Sequence, residues 1–89
     1  MRVVIIYRDK SDHARAVLSF VRDIKSRYPD RYIELIDVET RDGMAMANLY
    51  DIVRYPAVLV VGMDGSLMQQ WQGEPLPLID EAISYAVAA

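Results

Sequence analysis

Apolar and polar positions alternate along this chain in blocks whose period changes from strand-like to helical and back. Val3-Val4-Ile5-Ile6-Tyr7 is an unbroken apolar, β-branched run, the pattern of a strand covered on both faces. Arg8 to Asp12 interrupts it with polar residues suited to a loop. From Asp12 to about Tyr28, Val17, Val21, Ile24 and Tyr28 recur at helical spacing on one face, while Arg15, Arg22 and Lys25 fall off it. Ser11 or Asp9 is expected to cap this helix, with Asp12 favourably placed in its dipole. Pro29-Asp30 ends it, and Tyr32 to Val38 reads as a second strand. Strand, helix and strand in under forty residues make a βαβ unit, which requires parallel pairing.

The turn Thr40-Arg41-Asp42-Gly43 leads into a shorter helix, roughly Met44 to Asp51, with Ala45, Leu49 and Ile52 expected on its buried face. Ala57 to Val61 is a third strand. The Gly62-Met63-Asp64-Gly65 turn predicts a hairpin, so Leu67 to Trp71 should run antiparallel to it. After Gly73, Pro75 and Pro77 sit near the start of a last helix whose apolar face is Ile79, Ala82, Ile83 and Ala86. The order is β-α-β-α-β-β-α: an α/β fold with a four-stranded mixed sheet in the order 2-1-3-4 and helices on both faces.

Eighty-nine residues provide one core, so residues 1–89 are read as one domain. With 53% hydrophobic and 26% charged residues, the chain has an ordinary globular composition. No stretch approaches a membrane span, and the apolar run near the N-terminus is too short and too β-branched for a leader. A cytoplasmic location is expected, and the absence of cysteine fits it. The net charge of −3 hides a split: nine basic against seven acidic residues up to Arg41, one against six from Asp42 on. The basic residues Arg15, Arg22, Lys25, Arg27 and Arg31 are interleaved with acids, which argues against nucleic acid as a partner.

Two stretches carry a resemblance. Asn48 to Val61, with Tyr55-Pro56 opening the third strand, resembles the thioredoxin segment in which a helix ends and a proline begins a strand. The hairpin at Asp64-Gly65, then Gly73 and the last helix, continue that order. The apolar first strand, polar loop and basic helix are similar to glutaredoxins. The resemblance covers nearly the whole chain and implies a minimal thioredoxin-like fold, a cis Tyr55-Pro56 bond, and a Tyr55 backbone that pairs with an extended peptide or with glutathione.

The chain departs from that family at the first loop. Where the family carries Cys-x-x-Cys, Ser11-Asp12-His13-Ala14 stands here, and no cysteine occurs anywhere. A helix N-terminus makes a thiol a thiolate nucleophile; a serine hydroxyl gains far too little to ionise at neutral pH. Disulfide exchange is therefore excluded. The expected binding surface is Arg8, Asp9, Lys10, Ser11, Asp12, His13, Tyr55 and Pro56, facing a protein or extended peptide, with no catalytic residue and no cofactor apart from a possible role for glutathione.

The alternative is an enzyme using Tyr7, Ser11 or His13. Ser11 beside His13 invites a triad reading, but proximity in sequence supplies neither an oriented base nor an oxyanion site. Tyr7 and Ser11 also lie near the activating positions of glutathione transferases. Gln70-Trp71-Gln72-Gly73 stands where that family has an acidic residue and a serine, and these 89 residues hold no helical second domain of the kind that completes such sites. One histidine and no cysteine make a zinc site improbable. Trp71 is read as closing the core under the last helix, with a partner anchor as the other possibility.

Overall fold

The computed structural model describes residues 2–87, with side chains described through Tyr85. Its elements are β1 (Arg2–Tyr7), α1 (Ala14–Arg27), β2 (Ile33–Asp37), α2 (Arg41–Leu49), β3 (Ala57–Val61), β4 (Leu67–Gln72) and α3 (Ile79–Val87). The sheet order is β2-β1-β3-β4. β1 runs parallel to β2, with Ile5 opposite Leu35, and antiparallel to β3, with Ile5 opposite Val58. β4 closes the hairpin, with Ala57 opposite Gln72 and a bulge at Val60/Val61.

The unbroken apolar runs follow from this order. β1 and β3 are the inner strands, so successive side chains enter two different cores. Val3, Ile5, Tyr7, Val58 and Val60 meet α1 and α3 through Ala14, Val17, Phe20, Val21, Ile24, Ala82 and Ile83. Val4, Ile6, Ala57, Leu59 and Val61 meet Val38, Ala47 and Ile52 on the α2 side. The edge strands are only partly covered, and their sequences are mixed accordingly. Trp71 lies half-buried against the first core with its ring edge-on to Tyr85 at 5.7 Å, the core-closing role expected for it. Ala86 lies outside the residues whose side chains are described.

Two local expectations are corrected. α1 begins at Ala14, and neither Ser11 nor Asp9 caps it; His13 occupies the N-cap position without a side-chain cap. The Ser11 hydroxyl instead donates back to the Arg8 carbonyl, and the Ala14 amide donates to the Ser11 carbonyl at 3.3 Å. Asp12 therefore precedes the helix instead of lying in its first turn.

α2 also begins earlier than its apolar pattern suggests. Thr40 caps it, its hydroxyl accepting from the Gly43 amide at 3.0 Å. The buried face is Gly43 and Ala47, while Ala45 and Leu49 are solvent-exposed. The close seat of Gly43 on the Asp37 carbonyl sets the helix's rotation. A Cβ there would fall 2.1 Å from that oxygen.

Candidate functional site

The end of α2 builds the first half of the site. Asp51 takes a left-handed conformation (φ 56°), the Ile52 amide donates to the Ala47 carbonyl at 2.8 Å, and the Asp51 amide donates to the Asn48 carbonyl at 3.4 Å. This is a Schellman termination with aspartate in the position glycine usually fills. It buries Ile52 under the sheet and turns the chain into Val53-Arg54-Tyr55, which leads to Pro56 and β3. The Tyr55–Pro56 peptide bond is cis, as is Glu74–Pro75.

The 53–56 segment is held mainly from β4. The Gln72 side-chain oxygen accepts from the Val53 amide at 2.9 Å and the Arg54 amide at 3.2 Å. The Gly73 amide donates to the Pro56 carbonyl at 2.9 Å. The Tyr55 hydroxyl turns inward and donates to the Ile52 carbonyl at 3.3 Å. Among the described residues, no hydrogen bond engages the backbone N–H or C=O of Tyr55.

The β1–α1 loop forms the second half. The Arg8 guanidinium lies 5.3 Å from the centre of the Tyr55 ring, a cation–π contact that brings the two sequence-predicted segments together. Glu39 holds the same guanidinium from the other side at 3.2 Å. Both partners are largely exposed, so this pair orients Arg8 more than it stabilises the fold. His13 folds back over the loop, its Nε2 accepting from the Arg8 amide at 3.0 Å. Asp9 accepts from the Tyr7 hydroxyl at 3.2 Å. Lys10 and Asp12 are exposed, and no hydrogen bond or ion pair ties them to the other described residues. Pro56, expected on the surface, is fully buried, because it opens the inner strand β3.

The groups considered for catalysis are committed elsewhere. The Ser11 hydroxyl donates to the Arg8 carbonyl at 2.5 Å, and the His13 Nε2 accepts from the Arg8 backbone, so serine and histidine each bond the loop and not each other. The Tyr7 phenol is directed at Asp9. Burial of the ring, then the Asp9 charge and hydrogen bond, with Asp37 adding to them, raise its pKa above the ordinary 10.0. Among the described residues, no cluster of three or more His, Cys, Asp or Glu side chains could hold a metal ion, and no helix is long and apolar enough to cross a membrane.

The Tyr7 environment makes a pH prediction. Because its folded pKa is raised, the neutral phenol is the form the fold favours. The associated stability is complete below pH 10.0 and is lost as pH rises through the raised value. Tyr28, whose hydroxyl donates to Asp80 at 2.9 Å, shifts in the same direction. Urea unfolding at neutral and alkaline pH should therefore show stability falling above pH 10.0. Tyr7→Phe should make that fall shallower without abolishing it; an unchanged alkaline slope in the variant would contradict the assignment.

Neither a protein-family model nor any curated protein sequence matches this chain significantly. Solved structures do match. Thioredoxin 1 of Thermosipho africanus superposes with a TM-score of 0.69 at 20% identity, over 97% of this chain and 90% of that one. Thioredoxin O2 of Arabidopsis thaliana gives 0.71 at 12% identity, over 93% and 69%. Mitochondrial thioredoxin 3 of Saccharomyces cerevisiae gives 0.64 at 19%, over 78% and 62%. The likeness shows a thioredoxin-like fold. Within that fold, this chain is one without cysteine at any position.

Legibility at the site was uneven. Of the residues expected at the surface, Arg8 is joined to Ser11, His13 and Tyr55, whereas Pro56 is fully buried beneath it. Glu39 and Gln72 join this surface without a signal in the sequence. Glu39 and Gln72 act through hydrogen bonds spanning 31, 19 and 18 residues of sequence, and no local pattern marks them.

Proposed function

We propose that this chain is a cytoplasmic, non-redox recognition module that binds an extended peptide segment of a protein partner. The surface we assign to it is the β1–α1 loop together with Tyr55. One observation carries this reading. The amides of Val53 and Arg54 and the carbonyl of Pro56 are bonded within the protein, while among the described residues neither the amide nor the carbonyl of Tyr55, between them, has a partner. An extended strand supplies one acceptor and one donor at that spacing, the usual currency of β-augmentation. Arg8 lies against the Tyr55 ring, and Lys10 and Asp12 are exposed in the same loop.

The catalytic alternative is less well supported, because the Tyr7 hydroxyl bonds Asp9 while the Ser11 hydroxyl and the His13 Nε2 bond the Arg8 backbone and not each other. Thiol chemistry has no residue to carry it, so insulin reduction in the presence of dithiothreitol should proceed at the protein-free rate. Glutathione, like a peptide, offers a backbone to Tyr55, and it serves as a competitor in the test.

The test is selection of a displayed random heptapeptide library on the immobilised full chain, followed by titration of the recovered synthetic peptide into 15N-labelled protein. Shifts should centre on Tyr55 and extend to Arg8 through His13. A peptide that shifts only residues elsewhere, or a selection that yields none, would sink the reading. Conversion of a glutathione-reactive electrophile that is abolished by Tyr7→Phe or Ser11→Ala would replace it with the enzymatic one.

A further inference from the structure

We infer that Gln72 is the positioning residue of the recognition segment, holding Val53 and Arg54 so that the Tyr55 backbone is pre-ordered for an incoming strand. This rests on the recognition reading of Tyr55 and assigns it a device at the end of the neighbouring strand. Gln72 is the last residue of β4 and pairs with Ala57, the first of β3. Beyond that pair one more main-chain bond, from the Gly73 amide to the Pro56 carbonyl, ends the ladder. The Gln72 side chain carries it further, its Oε1 accepting from both Val53 and Arg54, where a further strand carbonyl would otherwise be needed.

The orientation of this amide is determined by its neighbours. Two N–H donors on one side require the oxygen there, and the Nε2 on the other side donates to the Gln70 Oε1 at 2.8 Å. A flipped amide would face donors with a donor. The clamp is completed by Gly73. Its amide binds the Pro56 carbonyl, and its missing side chain leaves room for the Arg54 guanidinium, whose Nη2 would lie 3.0 Å from a Cβ at that position. Gly73 also sits at φ +81°, where a side chain is strained. The residues before and after Tyr55 are thus anchored from one strand end, and the Tyr55 amide and carbonyl between them have no partner among the described residues.

Anchoring of this kind contributes to affinity by removing the ordering cost at binding. Val53 and Arg54 are exposed, so their amides can turn to water if Gln72 is lost, and the fold survives while the segment loosens. The variants follow from the chemistry. Gln72→Met keeps length and removes the acceptor. Gln72→Glu keeps an acceptor for both amides, and the Gln70 amide can rotate to donate to it. Gln72→Ala repeats the loss with no bulk, should the thioether repack.

The experiment uses the full 15N-labelled chain and the heptapeptide recovered by display. In Gln72→Met and Gln72→Ala, amide exchange at Val53 and Arg54 should quicken about tenfold, the factor for one ordinary hydrogen bond. Affinity for the heptapeptide should fall by a similar factor of about ten. Gln72→Glu should restore both, which a space-filling role would not do. Equal exchange in all four proteins, or wild-type affinity in Gln72→Met, overturns the assignment. If the wild-type protein binds no heptapeptide, the recognition reading fails and the positioning role toward a ligand fails with it; the exchange data then report separately whether the clamp itself exists.

Discussion

Gly43→Ala should lower the melting temperature by about 15 °C, although helix propensity alone predicts a gain. In an exposed helix interior, alanine in place of glycine is worth about 1 kcal/mol of stability. Here the added methyl would lie 2.1 Å from the Asp37 carbonyl oxygen, 2.8 Å from its carbon and 2.8 Å from the Ile36 Cγ2. Two of these atoms are backbone of β2 and its exit, so they cannot swing aside as a flexible side chain would. α2 must lift off the sheet, withdrawing Ala47 from its core and disturbing the Thr40 cap. Overpacking of this kind costs about 3 kcal/mol, which at this chain length corresponds to roughly 12–24 °C. Thermal unfolding followed by circular dichroism reads it, and a melting temperature equal to or above wild type would show that the helix is not seated where the structure places it. Because α2 ends in the turn that delivers Tyr55, the same variant should also weaken the peptide binding proposed for Tyr55.

The second large effect is expected for Leu59→Ala, a loss of about 3 kcal/mol in urea unfolding. Leu59 lies on inner strand β3 between Val4 of β1 and Gln70 of β4, fully buried on the α2 side. Its neighbours Val4, Ile6, Ala57 and Val61 are themselves fully buried and short, so little can collapse into the space left. The total stability of a chain this long is roughly 4–13 kcal/mol, so the variant should remain folded but with a clearly lower midpoint. Leu49→Ala is the companion measurement. Leu49 was expected on the buried face of α2 but is 71% exposed, and its truncation should stay within about 0.5 kcal/mol. Comparable losses in the two variants would mean that the α2 core is assembled differently.

Gly43 and Leu49 mark what the apolar pattern does not carry. Leu49 and Ala45 fit a helical stripe as well as Gly43 and Ala47 do, and hydrophobicity favours the leucine. What rotates the helix is the requirement that a residue without a side chain lie against the Asp37 carbonyl, a contact between backbone atoms that no apolar pattern records. The start of α1 was misplaced for a similar reason. Ser11 is a good capping residue by type, but its hydroxyl bonds backward to Arg8 because the loop folds over itself through His13. Phe20 completes the α1 stripe, at helical spacing from Val17 and Ile24.

From the sequence alone came the element order, the 2-1-3-4 sheet, both inner strands and the lack of any thiol where this fold usually carries two. Those features are encoded locally: period two against period three-point-six, turn residues between them, and the presence or absence of one atom type. Tertiary structure alone decided which face of α2 is buried, that Arg8 reaches Tyr55, and that Gln72 reaches across to Val53 and Arg54. Each of these depends on separate segments meeting at a distance of one hydrogen bond or one van der Waals contact. Such meetings are set by how the whole sheet twists and how closely each helix sits on it, and a one-dimensional pattern does not carry that information.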